Sequence, residues 1–471
     1  MLTRMEQDSL GELAVEAAGY AGIHTRRAQL NFDLPAPPVK RCLIDAMLVV
    51  KRAAAQANGQ AGLLAADKAD AIARACDDLL GGLAAQDLAT SSLQGGAGTS
   101  LNMNVNECVA NRAIELLGGQ KGDYALVHPV NDVNYSQSTN DVVPTALRIA
   151  AIHLVRRLAD ALAALQEALQ AKEREFDTVA RLGRTELMDA LPMRVGQGFG
   201  AYAQAVARDR WRIYKAEERL RVIPIGGTAI GTGLNAPPAY TYRVTDLLQQ
   251  ATGLGLARAE SPMDAIQNAD VYVEVSGLLK ACAATLLKLC GDLRLLAGGP
   301  AGGLAELKLP AVQAGSSIMP GKVNPVLPEM VTQVALRVIA HDGAVTSAAG
   351  MGQLELNAFL PLIADSLLDM LELLCAAVPL LTERCIRGIE VDAERCRSTL
   401  EHSTAAAAAL IAHVGYDRAA ELAHTAQATG CTLRQVALAE SGLSAETVER
   451  IFTLNDLTRP GVPGRTGRRQ P

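Results

Sequence analysis

Apolar residues at helical spacing dominate the middle of the chain. Between Thr145 and about Arg181, leucines recur mostly every three or four positions without an intervening Gly or Pro, at Leu147, Leu154, Leu158, Leu162, Leu165 and Leu169. At about 1.5 Å per residue, this stretch predicts a helix of roughly 50 Å. Residues 262–296 and 328–346 have the same character and predict further long helices. Such rods carry apolar residues on more than one side, which implies that helices of other subunits cover them.

The pattern changes along the chain and predicts three domains. Residues 1–136 mix short helical patterns with Gly/Asn-rich connections, residues 137–395 contain the long helices, and residues 396–471 form a small helical domain. The last domain ends in a polar tail, Gly461–Pro471, with Arg465, Arg468 and Arg469, which we predict to be solvated and disordered. We therefore predict a mainly all-α protein with a central bundle of long helices.

Composition agrees with this architecture and excludes several classes of partner. Apolar residues make up 49% of the 471 residues but aromatic residues only 3%, which favours closely packed helices over sheets. A net charge of −6 argues against nucleic acid as a principal partner. The nine cysteines are scattered without a C-x-x-C pair, so we expect reduced thiols in a cytoplasmic protein. No apolar run resembles a signal peptide or a membrane span, so we expect neither export nor membrane insertion.

The densest chemistry lies in the loop G-S-S-I-M-P-G-K-V-N-P, from Gly315 to Pro325. It contains two adjacent hydroxyls (Ser316 and Ser317), one cation (Lys322) and one amide (Asn324). Glycine lets backbone amides approach a ligand closely, and proline restricts the shape of the turn. A cation can neutralise a carboxylate that gains charge when the neighbouring carbon loses a proton. The loop therefore predicts proton abstraction next to a carboxylate, although a plain turn between helices has a similar composition.

Three other polar strings carry groups that suit an anion site. Each places short hydroxyl or amide side chains in a loop beside a helix, where free backbone N–H groups can bind an anion. The strings are Gly95–Glu107 with Thr99, Gln137–Asp141 with Ser138, Thr139 and Asn140, and Gly183–Met193 with Thr185. Residues of these types also cap helices or occupy turns, so each string taken alone leaves both interpretations open.

Taken together and in this order, the four strings resemble the aspartase/fumarase superfamily. The resemblance extends over almost the whole chain and includes Y-A-G-I-H-T-R-R-A near Tyr20 and G-T-A-I-G-T-G-L-N at Gly227–Asn235. Within the superfamily the chain is most similar to the aspartate ammonia-lyases, followed by the class II fumarases. The resemblance implies a three-domain, mainly helical subunit that assembles into a homotetramer, with active sites formed by loops of three subunits.

The resemblance also implies a reaction and a set of site residues. The reaction is the elimination of ammonia from L-aspartate to give fumarate, through an aci-carboxylate intermediate, on a small dicarboxylate substrate and without a cofactor. Ser316 would be the base, acting as an alkoxide, while Lys322 and Asn324 would hold the carboxylate end of the substrate. The other implied substrate-binding residues are Thr99, Ser138, Thr139, Asn140, Thr185, Ser317 and, as a carboxylate contact, Arg27. The sequence shows no cluster of metal ligands.

One departure from the superfamily pattern concerns specificity. Glu186 stands where relatives carry histidine or glutamine, and the family geometry would place it near the leaving group, beside Glu329. Two neighbouring carboxylates would favour protonation of one of them. Otherwise Glu186 stays charged and holds a cationic leaving group, which could be ammonium or a larger amine, hydrazine or amidine. It could also be a tolerated substitution that leaves aspartate as the substrate.

These interpretations keep an alternative reaction open, namely that of a lyase or hydratase on another C2-substituted succinate. Hydration of fumarate is disfavoured because the histidine of the family pair is missing. A non-catalytic protein that retains the fold is disfavoured by the intact Ser316 and Lys322.

Overall fold

The computed structural model describes residues 2–465, and most of these residues form α-helices. The helices are, in chain order, α1 Ile23–Asn31, α2 Arg41–Gln60, α3 Ala66–Leu80, α4 Thr99–Leu116, α5 Thr139–Glu175, α6 Val195–Leu220, α7 Pro238–Thr252, α8 Pro262–Gln267, α9 Asp270–Leu296, α10 Val326–Gly350, α11 Leu360–Arg384, α12 Ala393–His402, α13 Ile411–Val414, α14 Tyr416–Thr429, α15 Leu433–Glu440, α16 Ala445–Ile451 and α17 Leu454–Leu457. Short 3₁₀ or π turns cover Pro129–Val133, Ile386–Gly388 and Thr404–Ala409.

Strands are short, and each sheet in the described part of the chain has two of them. The pairs, all antiparallel except the third, are β1 Thr3–Asp8 with β2 Gly11–Glu16, β3 Ala180–Thr185 with β4 Met188–Arg194, β5 Val222–Ile223 with β6 Ala257–Arg258, and β7 Leu307–Lys308 with β8 Glu390–Val391. The predicted fold class, mainly all-α, is thereby confirmed.

The long helices occur close to the predicted places, with differences at their ends. Helix α5 begins at Thr139 and not at Thr145, because Pro144 is accommodated inside it. It ends at Glu175, because residues 176–178 form a turn that leads into β3. The predicted segment 262–296 is divided into α8 and α9, and α10 extends beyond the predicted 328–346 at both ends.

The chain folds into two compact units, each assembled from three separate stretches of sequence. The first unit consists of Met1–Asp160, Asp209–Ala284 and Val334–Ala376. The second unit consists of Ala161–Arg208, Thr285–Gln333 and Ala377–Pro471. The three domains with boundaries at residues 136 and 395 remain a prediction.

Long helices lie side by side in the first unit. The hydroxyl of Tyr272 in α9 donates to the carbonyl of Pro144 in α5 at 3.4 Å. Ser276 in α9 donates from Oγ to the Asp342 carboxylate in α10 at 2.7 Å. The core between the helices consists mainly of buried Ala, Val and Leu residues. Small residues allow close approach of helices, as the aromatic-poor composition predicts.

An ion pair with a buried carboxylate also joins α5 to α6 in this unit. Arg156 donates from Nε and Nη2 to the two oxygens of Glu217 at 2.9 and 2.8 Å. Arg221 donates from Nη2 to the same carboxylate at 2.7 Å. These hydrogen bonds, above all those of Arg156, lower the pKa of Glu217 to about 2.

Replacing Glu217 by glutamine is expected to lower the free energy of unfolding by about 1.5–3 kcal/mol near neutral pH. The folded-state pKa lies below the ordinary value of 4.5. The stabilisation is therefore complete above that value and is lost as the pH falls towards about 2. Urea titrations at about pH 7 and about pH 3.5 should show a smaller difference in the free energy of unfolding between wild type and variant at the lower pH.

Glu274→Gln is the matched control, since Glu274 forms an ion pair with Arg219 in which both side chains are about half exposed. An equal loss in both variants would contradict the expectation.

The C-terminal region of the second unit has a small apolar core of its own. It consists of Ala406, Leu410, Ala419, Leu422, Ala426, Leu433, Val436, Ala437, Val448 and Ile451. The chain still contacts this region at Arg465, whose Nη2 donates to the carbonyl of Ala412 at 3.2 Å. Arg468 and Arg469 of the predicted tail lie outside the described residues. No helix within residues 2–465 combines the length and the apolar character that a membrane crossing requires.

Candidate active site

The loop Gly315–Pro325 lies in the second unit, between β7 and α10, and contains neither helix nor strand. Its base is closed by hydrogen bonds between its two ends. The N–H of Gly315 donates to the carbonyl of Lys322 at 2.8 Å, and Asn324 donates from Nδ2 to the carbonyl of Gly315 at 2.7 Å. A Cβ atom at position 315 would lie 2.6 Å from that carbonyl oxygen of Lys322, so only glycine fits. The absence of a side chain at position 315 therefore allows the two ends of the loop to come together.

Ser316 occupies a special position inside this loop. Its Oγ accepts hydrogen bonds from the backbone N–H groups of Ile318 at 3.2 Å and Met319 at 3.0 Å. Hydrogen bonds from N–H donors stabilise an oxygen that carries negative charge. The neighbouring Ser317 is exposed, whereas Ser316 is half-buried. The loop thus distinguishes the two adjacent hydroxyls and directs backbone donors at the first.

Lys322 presents a cation at the surface of the same loop. Its side chain is exposed, and Nζ donates to Oδ1 of Asn324 at 2.7 Å. An adjacent cavity of about 820 Å³ is lined by residues 319–325 and by further charged side chains of the second unit. The charged lining residues are Arg294, Lys308, Lys322, Asp392 and Arg395. Cations outnumber carboxylates there, so the space beside the loop attracts small anions.

Thr185 and Glu186 are at the tip of the β3–β4 hairpin, also in the second unit. Thr185 pairs with Met188 across the turn, and both Thr185 and Glu186 are exposed. Glu186 and Leu187 adopt φ values of 55° and 66°, which is the left-handed conformation that a two-residue hairpin turn requires. The Glu186 carboxylate is thereby held at an exposed tip. Glu329, expected beside it, lies 3.9 Å from Nη2 of Arg294.

Ser138, Thr139 and Asn140 lie at the start of α5 in the first unit, and all three are half-buried. Ser138 accepts from the N–H of Asn140 at 3.2 Å through Oγ, which is a capping contact. Thr139 Oγ1 accepts from Nδ2 of Asn102 at 3.1 Å. Asn140 donates from Nδ2 to the carbonyl of Ala229 at 2.8 Å. Each side chain therefore already has a protein contact that fixes its orientation.

Thr99 begins α4 in the first unit, as the polar string at 95–107 predicts for a loop that enters a helix. The preceding Gly98 has a φ of 95°, a conformation that glycine adopts readily. The Thr99 hydroxyl donates to the carbonyl of Gly96 at 2.7 Å, and its side chain is exposed. Three residues later on the same helix, Asn102 connects α4 to Thr139.

Arg27 of the first unit is engaged by a carboxylate of the protein itself. Its Nε and Nη2 donate to the two oxygens of Asp8 at 2.7 and 2.8 Å. Nη2 also donates to the carbonyl of Gly11 at 3.1 Å. A contact between Arg27 and a substrate carboxylate would therefore depend on its remaining Nη1 group.

Sequence reasoning missed a set of buried polar residues around Ser138–Asn140. Lys51, Asn134 and Asp141 were not among the predicted site residues, and Asn102 was only a member of the polar string Gly95–Glu107. Lys51 is fully buried in α2, and Asn102 is 1% exposed in α4. The available signal was a charged or amide residue within an otherwise apolar helical pattern. No group of three His, Cys, Asp or Glu side chains that could hold a metal ion occurs in residues 2–465.

Known proteins resemble this chain over most of its length. A family model described as lyase matches residues 11–340, and a model of the fumarase C C-terminus matches residues 407–459. Aspartate ammonia-lyase of Bacillus subtilis (strain 168) is 42% identical over 462 residues, which cover 98% of this chain and 97% of that protein. Aspartate ammonia-lyase of Pseudomonas aeruginosa is 44% identical over 461 residues, which cover 97% of each.

Two solved structures show the same fold. The fumarate lyase:delta crystallin from Brucella melitensis, crystallised with bound cobalt, is 46% identical with a TM-score of 0.93, covering 97% of this chain and 99% of that one. The recombinant class II fumarase from Schistosoma mansoni is 32% identical with a TM-score of 0.92, covering 97% of this chain and 98% of that one.

Proposed function

Since this chain belongs to the aspartase/fumarase superfamily of lyases, we propose that it is a carbon–nitrogen lyase that converts L-aspartate into fumarate and ammonia. The observation that carries this proposal is the environment of Ser316, whose Oγ accepts two backbone N–H groups in the loop that also presents Lys322. Relatives named aspartate ammonia-lyase match nearly the full length of the chain, which supports the same reaction.

The proposed base is Ser316, acting as an alkoxide. It takes the proton from the carbon next to the carboxylate that Lys322 and Asn324 hold, and the electron pair of that C–H bond passes into the carboxylate to form an aci-carboxylate. The N–H groups of Ile318 and Met319 stabilise the alkoxide before proton transfer. Lys322 stabilises the second negative charge of the intermediate, which is the type of interaction that lowers such barriers most.

Collapse of the aci-carboxylate then breaks the carbon–nitrogen bond. The electron pair returns to form the carbon–carbon double bond of fumarate, and the ammonium group of the substrate leaves as neutral ammonia with the electron pair of the broken carbon–nitrogen bond. We propose that Thr99, Ser138, Thr139, Asn140, Thr185 and Ser317 line the substrate pocket and bind the substrate. Glu186 at the hairpin tip would lie beside the leaving amine.

We further propose that the active enzyme is a homotetramer whose sites combine residues of three subunits. The support is a set of exposed apolar residues on the long helices of the first unit, which a monomer would leave in water. Trp211 and Tyr214 on α6 are 65% and 63% exposed and form a T-shaped ring pair, and Leu336 on α10 is 54% exposed. Sedimentation velocity combined with activity measurements tests this, and an active monomer would refute it.

The nine cysteines, all within the described residues, are free thiols, which supports a cytoplasmic location.

The direct test is the ultraviolet absorbance of fumarate formed by the purified protein from L-aspartate. We expect steady production that depends on the concentration of aspartate. A folded tetramer that forms no fumarate from aspartate would refute the proposal.

A second candidate function is the lyase reaction of another C2-substituted succinate, and the exposed Glu186 carboxylate is the observation that favours it. A screen of amines and hydrazines with fumarate as the acceptor tests this candidate. If another amine adds to fumarate faster than ammonia does, the corresponding substituted succinate is the substrate. If the protein instead hydrates fumarate to malate, it is a hydratase.

Glu186→Gln is expected to lower kcat/KM for L-aspartate by about tenfold or more, because a charged hydrogen bond to the leaving ammonium is lost. The measurement is fumarate formation at a series of aspartate concentrations. Glu394→Gln is the matched control, since Glu394 is an exposed carboxylate of the same unit that pairs with Arg397. Equal kcat/KM values for wild type and Glu186→Gln would show that Glu186 is a tolerated substitution.

A further inference from the structure

Asp141 is a buried carboxylate in the first turn of α5 that connects two loops of the first unit. It is fully buried, and one oxygen accepts from the N–H of Ser138 at 2.9 Å. The other oxygen accepts from the N–H groups of Gly226 at 3.0 Å and Thr228 at 2.9 Å. A helix cap would need only the first of these contacts. The contacts to residues 226 and 228 therefore serve something other than the helix.

The segment 226–229 adopts a conformation that requires such support. Thr228 has a φ of 56°, which lies in the left-handed region that β-branched residues rarely adopt. A conformation of this kind costs about 1–3 kcal/mol and persists only where surrounding contacts hold it. Thr228 is 6% exposed, and Asp141 receives its N–H. Asn140 adds a second contact to the same segment through the carbonyl of Ala229.

A buried cation of another helix holds the loop that precedes α5. Lys51 of α2 is fully buried and donates from Nζ to the side chains of Asn134 at 2.8 Å and Gln137 at 3.0 Å. The same Oδ1 atom of Asn134 accepts from Nδ2 of Asn102, which also donates to Thr139. The residues on both sides of Ser138 are thus fixed by buried polar groups.

Lys51 and Asp141 each stabilise the charged form of the other. Burial lowers the pKa of Lys51 to about 7, and the nearby Asp141 carboxylate acts against that change. Burial raises the pKa of Asp141 to about 7, while its three backbone N–H contacts and Lys51 act in the opposite direction. The three hydrogen bonds given above for the Asp141 carboxylate all come from donors, which suits a charged carboxylate.

We infer that Asp141 is a positioning residue for substrate binding, which places Ser138, Thr139 and Asn140 by tying the start of α5 to the segment 226–229. The inference rests on the proposed function, in which those three residues bind the substrate. The three side chains can donate to a carboxylate at a fixed site only if their backbone does not move, and their own hydrogen bonds do not reach beyond this segment and Asn102.

The test compares Asp141→Asn with Glu107→Gln. Glu107 is also a buried carboxylate, 1% exposed, and accepts from the N–H groups of Gly22, His24 and Thr25 at the start of α1. Both variants should lower the melting temperature. Only Asp141→Asn should raise KM for L-aspartate, by about tenfold or more, with a smaller change in kcat.

Hydrogen–deuterium exchange without substrate gives a second measurement. Asp141→Asn should accelerate exchange in both segments 138–141 and 226–229, whereas Glu107→Gln should accelerate exchange in 22–25 and leave 226–229 unchanged. Because no substrate is present, this measurement decides whether Asp141 ties the two segments together even if the wild type forms no fumarate and the proposed function fails. Unchanged exchange at 226–229 in Asp141→Asn, or the same rise in KM for both variants, would overturn it.

Asp141→Glu keeps the test decisive if Asp141→Asn does not fold. It retains the charge and the acceptors but displaces the two segments by one methylene group. We expect a smaller loss of melting temperature together with a raised KM. A wild-type KM in Asp141→Glu would show that only the charge matters and not the placement of the loop.

Discussion

Replacing Ser316 by alanine is expected to lower kcat for fumarate formation from L-aspartate by about 10²–10⁴-fold. The substitution removes the oxygen that is proposed to take the proton and leaves the N–H groups of Ile318 and Met319 without that acceptor. KM should change much less, because Lys322 and Asn324, the residues proposed to hold the substrate carboxylate, are unchanged. Steady-state kinetics measured by fumarate absorbance separates the two parameters.

The matched comparison is Ser317→Ala, one residue along the same loop. Ser317 is exposed and is proposed only to bind the substrate, so we expect a smaller loss of roughly tenfold. The two variants differ by one position and remove the same chemical group. Equal losses, or a larger loss in Ser317→Ala, would show that the base is not Ser316.

Replacing Lys322 by methionine is expected to lower kcat/KM by about 10²–10³-fold. Methionine preserves much of the length of the side chain but removes the charge that is proposed to stabilise the aci-carboxylate. Because that charge matters more in the intermediate than in the bound substrate, most of the loss should appear in kcat. Titration calorimetry with fumarate measures how much ground-state binding remains.

Lys308→Met is the control for the charge of the cavity as a whole. Lys308 lines the same cavity as Lys322, is exposed and forms an ion pair with Asp392 at 3.0 Å. We expect its replacement to change kcat/KM by less than about threefold, because an exposed charge acts only through the screened general field. A similar loss in both variants would mean that the cavity charge, and not the position of Lys322, drives the reaction.

The helical architecture could be predicted because it depends on local periodicity. Leucines every three or four residues specify one face of a helix wherever the chain places it. The ends were less predictable, as α5 shows, because Pro144 reads as a boundary in sequence but lies within the helix. The division into two units assembled from interleaved stretches could not be predicted either, since it depends on contacts between residues far apart in the chain.

The candidate site was predictable in part for a related reason. Ser316, Lys322 and Asn324 share one loop of eleven residues, so their proximity follows from the sequence. The sequence did not distinguish the roles of Ser316 and Ser317 by physical argument. The difference arises from the turn that directs the N–H groups of Ile318 and Met319 at the first hydroxyl.

By itself, the sequence determined the mainly helical fold class, the family and the loop that we propose as the catalytic one, because periodic patterns and short motifs are local properties of a chain. Only the tertiary structure decided which buried charges support the loops. It brought Lys51 of α2 to Asn134 and joined Asp141 of α5 to Gly226, 85 residues away. It also engaged Arg27 with Asp8. These are long-range contacts of polar groups in a desolvated environment, where each group needs a partner that sequence spacing does not reveal.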